Sequence, residues 1–162
     1  MIVVSNTSPI TNLAAIGQLD LLRQMYQHAI IPKAVFQELT AQGGRHPGAI
    51  VQQLNWVETR TVSNPAVVNA LQVDLDIGEA EAIALAQELA ADLLLIDEHM
   101  GRVIAARLGI RIIGLLGVMV EAKHRGLIRE VKPLVDALIN LGFRIGEDLY
   151  ERVLQAAGEY KT

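Results

Sequence analysis

The chain has no cysteine among its 162 residues, which excludes disulfides and thiolate metal sites and makes a reducing cytoplasm the expected compartment. Long apolar runs are missing too. The longest, around Ile112 to Val120 and Leu93 to Ile96, fall well short of the roughly 20 residues that a membrane-crossing helix needs. No basic-plus-apolar leader opens the chain, so a soluble protein with no membrane contact is expected. Tight hairpin signals, internal repeats, low-complexity tracts and linkers are absent as well. Positive charge is scarce over Met1 to Met100, with 4 Lys/Arg against 11 Asp/Glu, in a chain of net charge -4. That balance argues against a protein that coats nucleic acid generally. From Gly101 to Lys132 it reverses, with Arg102, Arg107, Arg111, Lys123, Arg125, Arg129 and Lys132 against Glu121 and Glu130. Folding can set such a basic segment beside the acidic half, although scattered solvated charge explains the same pattern.

What is present is apolar enough, at 51%, to bury one substantial core, and the length points to one domain over residues 1–162. Ile2 to Val4 reads as a short buried strand that ends in the polar stretch S-N-T-S-P. Helices are expected at Pro9 to Ile16, with Ser8 as N-cap, and at Leu19 to Tyr26 after Gly17. His28 to Ile31 is a brief apolar run, and Pro32 opens a helix through Leu39. Ala41 to Gly48 is a loop, Trp56 to Thr61 a strand, and Ser63 or Asn64 with Pro65 a helix start. Glu79 to Ala91, entered at Gly78, is rich in the best helix formers. Leu93 to Ile96 is a buried strand ending at Asp97, followed by a helix from His99 to Leu108 that Gly109 stops. Arg111 to Ile113 is a short strand, and helices follow near Gly117 to Arg125, Pro133 to Leu141 and Glu147 to Ala157. Strands alternating with helices imply an α/β fold, a parallel sheet with helices on both faces.

Four polar side chains stand out. Asn6 and Asp97 end buried strands, at the edge where open α/β sheets place ligands; each can equally serve as a helix cap. Glu79 begins a helix on the face of Ile83, Ala86 and Ala90, so it points toward the sheet, although an acidic first turn also suits the helix dipole. Glu81 lines up with Leu85 and Glu88 and is expected to be the more exposed of the pair. Glu38 sits near the negative end of its helix, an unfavourable place that a nearby cation would explain. Three carboxylates in one crevice repel unless cations or protons compensate. Magnesium or manganese suits such an all-oxygen set and serves phosphodiester hydrolysis. The basic segment after Asp97 is then available for a phosphate backbone. No role falls to His28, His46, His99 or His124. A phosphoacceptor receiver needs an acidic pair after its first strand, which V-V-S-N-T-S lacks, and a nucleotide hydrolase needs a G-x-x-x-x-G-K-[ST] loop, which is absent.

Five stretches, V-V-S-N-T-S-P-I, I-P-K-A-V-F-Q-E-L, G-E-A-E-A-I-A-L-A, L-L-L-I-D-E-H-M-G-R and I-G-L-L-G-V-M-V-E-A-K-H-R-G-L-I, occur in this order from Met1 to Ile128. As an ordered set the chain resembles the PIN-domain nucleases, more narrowly the VapC-like toxins of toxin-antitoxin pairs. The resemblance implies a three-layer α/β/α sandwich, a divalent-metal ribonuclease, a homodimer and a cognate antitoxin partner. It implies Glu38, Glu79 and Asp97 as metal-binding carboxylates, with Ser8 and Arg102 toward water or phosphate and Glu98 as an outer ligand or a solvent-facing residue. The family's first strand normally ends in aspartate, and Asn6 stands there instead. An amide oxygen can still ligate magnesium, as a neutral fourth ligand, but one negative charge is missing. An inactive PIN-like module that binds an antitoxin or RNA is the alternative.

Overall fold

The computed structural model describes residues 1–159; the expected domain's last three residues lie outside them. The described residues group into two compact units, Met1–Gly114 and one that begins at Leu115.

The first unit holds the sheet. Its strands are β1 (Val3–Ser5), β2 (Ala29–Pro32), β3 (Val57–Arg60), β4 (Leu93–Leu95) and β5 (Ile112–Ile113). They are all parallel and lie in the order β3-β2-β1-β4-β5. The helices are α1 (Thr7–Ala15), α2 (Asp20–Tyr26), α3 (Lys33–Thr40), α4 (Pro65–Leu71), α5 (Ile77–Glu88) and α6 (His99–Arg107), with 3-10 turns at Gly43–Arg45 and Pro47–Gln53. This five-stranded parallel sheet flanked by helices is the expected α/β sandwich.

Central strands without polar alternation follow from burial on both faces: Val3, Val4, Ile30, Ile31, Leu94 and Leu95 are all buried. Helix α5 lies against β1, β2 and β4 and touches α3, α4 and α6. Such a helix is apolar nearly all round, and residues 82–86 are buried without a break. Its alanines allow the close approach. Its entry is not Gly78 but Asp76, in a capping box: Asp76 Oδ1 accepts from the Glu79 N–H at 2.8 Å, and Glu79 Oε2 from the Asp76 N–H at 3.3 Å. The D-x-x-E spacing carries that signal.

Two other helix starts differ from the sequence reading. Thr7 rather than Pro9 opens α1, so Ser8 lies inside the first turn and is not the N-cap. Proline is accepted there because the first turn's N–H groups have no partner within the helix. Pro32 is the N-cap of α3 and has no side-chain acceptor to offer. Glu81 supplies it from α5, its Oε1 accepting from the Ala34 N–H at 2.9 Å. The stripe of Glu81, Leu85 and Glu88 does not face water throughout: Leu85 is fully buried, and Glu81 is half-buried, as Glu79 is.

The second unit contains α7 (Leu115–His124), α8 (Lys132–Asn140) and α9 (Glu147–Ala156). Glu159 joins its parts, accepting from the N–H groups of Val131 (2.7 Å) and Lys132 (2.9 Å) and from Lys123 Nζ (3.0 Å). Burial pushes the Glu159 carboxyl up, but these donors outweigh it and hold the group below its ordinary value. Much of the expected basic segment is spent here in ion pairs: Lys123 with Glu159, Arg125 with Glu121, Lys132 with Asp136. Among the described residues no helix is long and apolar enough to cross a membrane.

Candidate functional site

Strand order reverses between β1 and β4, because the chain steps outward from β1 to β3 and then returns to place β4 on the other side of β1. The crevice beyond the carboxyl ends at such a point is where open α/β sheets bind ligands. Asn6 follows β1 and Asp97 follows β4 two residues after its last strand residue. The two tips are tied, the Asn6 N–H donating to Leu95 O at 2.9 Å.

A cavity of about 510 Å³ opens there, lined by Asn6, Thr7, Ser8, Thr11, Asn12, Glu38, Asp76, Glu79, Asp97 and Glu98. Asn6 is 5% exposed, one of two buried polar residues among the described residues, and although it occupies the N-cap position of α1 its side chain makes no capping bond. Glu98, not Asp97, caps α6, accepting from the Gly101 N–H at 2.9 Å. The Asn6 side chain therefore does not cap α1, nor the Asp97 side chain α6. Glu38 reaches in from α3 and accepts a hydrogen bond from the Thr7 hydroxyl. Ser8 Oγ accepts from Asn12 Nδ2 at 3.2 Å.

Five carboxylates thus face one cavity, and among the described residues no lysine or arginine lines it. The electrostatic consequence falls on Glu79. Burial first, then the charges of Asp76 and Glu98, push its carboxyl up to about 7 from 4.5, against the hydrogen bond from the Asp76 N–H. Arg102 lies outside the lining, anchored by Nη1 to Ile96 O at 3.1 Å. It reaches the site's edge, since its guanidinium and Asp97 Oδ1 both stand over Gly114.

The geometry brings together Asn6, Ser8, Glu38, Glu79 and Asp97 and leaves Arg102 at the margin. Asp76, Thr7, Thr11 and Asn12 escaped the sequence reading. The D-I-G-E capping box could have marked Asp76. Thr7, Thr11 and Asn12 carry no comparable signal, since they share a face only once the helix is known to begin at Thr7.

The donor set is all oxygen, the chemistry of a hard divalent cation such as magnesium or manganese. As placed, no three His, Cys, Asp or Glu side chains among the described residues stand close enough to hold an ion. Local bonds account for part of this: Glu38 is turned to Thr7, Asp76 and Glu79 to each other's backbone, and Glu98 to Gly101. The fit is one of donor type and charge.

No curated protein matches the chain significantly. A family model, DUF3368, described as a PIN domain, matches residues 2–159. With the match running over nearly the whole chain, and with the parallel sheet and the strand-tip cavity in place, the chain belongs to the PIN-domain family.

Proposed function

We propose that this protein is a magnesium- or manganese-dependent endoribonuclease of the VapC-like toxin type. The observation that carries the reading is the cavity at the strand-order reversal, with five carboxylates in its lining and no basic residue there among the described residues. Glu38, Glu79 and Asp97 are the residues to hold the ion, and the Asn6 amide oxygen is a neutral fourth ligand. When bound, the ion supplies an activated water and neutralises the leaving oxygen. Ser8, kept in place by Asn12, positions the water or a phosphate oxygen. Arg102, fixed to the end of β4 by Ile96 O, offers a cationic contact for the scissile phosphate. The antitoxin partner, the homodimer and the RNA substrate belong to the same reading and rest on the five ordered motifs.

A structured RNA incubated with the protein in manganese, in magnesium and in chelator tests it. Cleavage is expected with either ion, absent in chelator, and lost in Asp97→Asn; cleavage that survives chelator and Asp97→Asn refutes it. A second reading, an inactive module that binds an antitoxin or RNA, is favoured by the amide at Asn6 and by the spacing of the carboxylates, no three of which stand close together among the described residues. Calorimetric titration with manganese separates the two, since only the enzyme needs an ion site.

A further inference from the structure

We infer that Gly78 and Gly114 are positioning residues of the acidic cavity, each leaving by its missing side chain the space in which a carboxylate oxygen stands. The inference rests on the reading of that cavity as a metal centre and deepens it.

A Cβ built on Gly78 would lie 2.5 Å from Glu38 Oε1 and 2.9 Å from Oε2. One built on Gly114 would lie 2.8 Å from Asp97 Oδ1 and 2.7 Å from Arg102 Nη1. Each distance is shorter than a Cβ contact tolerates, so a side chain at either position displaces the group above it.

The local backbone gives no reason for glycine at either place. Neither residue is among the positive-φ glycines. Gly78 is the second residue of α5, where alanine is the better helix former. The reason lies across the cavity. Glu38 is held between the Thr7 hydroxyl on α1 and the bare backbone of α5, so its direction depends on both. Because the colliding atoms are the far end of a flexible side chain, Gly78→Ala leaves the helix intact and moves the carboxylate. Gly114 does the same for Asp97, and lets the Arg102 guanidinium meet it over one residue. Two carboxylates proposed as ligands are thus aimed by residues that touch no ion.

A double-mutant cycle tests this with the full chain. Manganese affinity is measured by calorimetry for wild type, Gly78→Ala, Glu38→Ala and the double variant, and each is melted in chelator. Gly78→Ala should weaken binding about tenfold or more when Glu38 is present, and by less than about twofold when Glu38 is alanine. In chelator it should raise the melting temperature only in the Glu38→Ala background, where helix propensity acts unopposed. Undiminished affinity in Gly78→Ala, or the same loss in both backgrounds, overturns the positioning role alone. No manganese heat from wild type overturns the metal reading and the role together. Should Gly78→Ala fail to fold, recovery of folding in the double variant supports the contact, and no recovery refutes it. Gly114→Ala with Asp97→Ala forms the matching cycle.

Discussion

Glu79→Gln should stabilise the protein in chelator at neutral and alkaline pH and leave it unchanged in acid. The folded chain holds a proton on Glu79 up to about pH 7, whereas the ordinary value is 4.5. Between those values the folded state binds more protons than the unfolded chain, so stability falls as pH rises. The contribution is fully present below the ordinary value and is lost as pH passes through about 7. Each tenfold difference in proton affinity between the two states corresponds to ~1.4 kcal/mol. Glu79 is only half buried, so solvent screening reduces the full conversion to ~1–2 kcal/mol. Glutamine carries no charge and keeps an oxygen for the Asp76 N–H. For a chain of this size ~1 kcal/mol moves the melting temperature by ~2–4 °C, so Glu79→Gln should melt ~3–6 °C above wild type near pH 8 and level with it near pH 4.5. Paired melts followed by circular dichroism across that range provide the measurement. A difference independent of pH, or a glutamine variant that melts lower at pH 8, would refute the crowded-carboxylate argument.

Asn6→Asp should tighten manganese binding and lower metal-free stability by ~1 kcal/mol, since one added charge attracts the ion and repels its neighbours; melts with and without manganese read both effects, and an unchanged metal response would leave Asn6 with no part in ion binding. Glu81→Ala should cost ~1 kcal/mol by removing the acceptor at the start of α3, whereas Glu81→Gln should recover much of that in urea titrations. Ala90 has φ 49°, so Ala90→Gly should stabilise by ~0.5–1 kcal/mol, against the usual cost of glycine. Glu159→Gln should cost ~1–3 kcal/mol at neutral pH; because the carboxyl is held below its ordinary value, the loss should vanish as acid titrates the group in both folded and unfolded states.

Local composition made several elements readable. Leu93 to Ile96 is too short and too continuously apolar for anything but a buried strand, and β4 occupies it. Asn64 before Pro65 marks a cap, and Asn64 Oδ1 does accept from the Ala66 N–H at 3.1 Å. The opening polar stretch was harder, because Ser8-Pro9 imitates a cap while the helix begins at Thr7. Glu81 misled for a tertiary reason: its partner, the Ala34 N–H, is 47 residues away. The same holds for the cavity. Strand-tip placement pointed to Asn6 and Asp97, and helical spacing to Glu79, but the space over Gly78 and Gly114 is defined by side chains from other elements and has no periodic trace.

The reversal of strand order also has a consequence in time. β1 to β3 lie early in the chain and can pair as soon as residue 60 is made, with Glu38 already present on α3 and Glu79 following on α5. The crevice still has one wall missing. It closes only when β4 joins the free edge of β1, more than eighty residues after β1 itself, the kind of distant pairing that forms late because a long loop must first be drawn together. A chain halted or cut before Leu93 would therefore carry most of the cavity's side chains and none of its shape. Whatever chemistry the cavity performs is withheld from the incomplete polypeptide and arrives with a single strand.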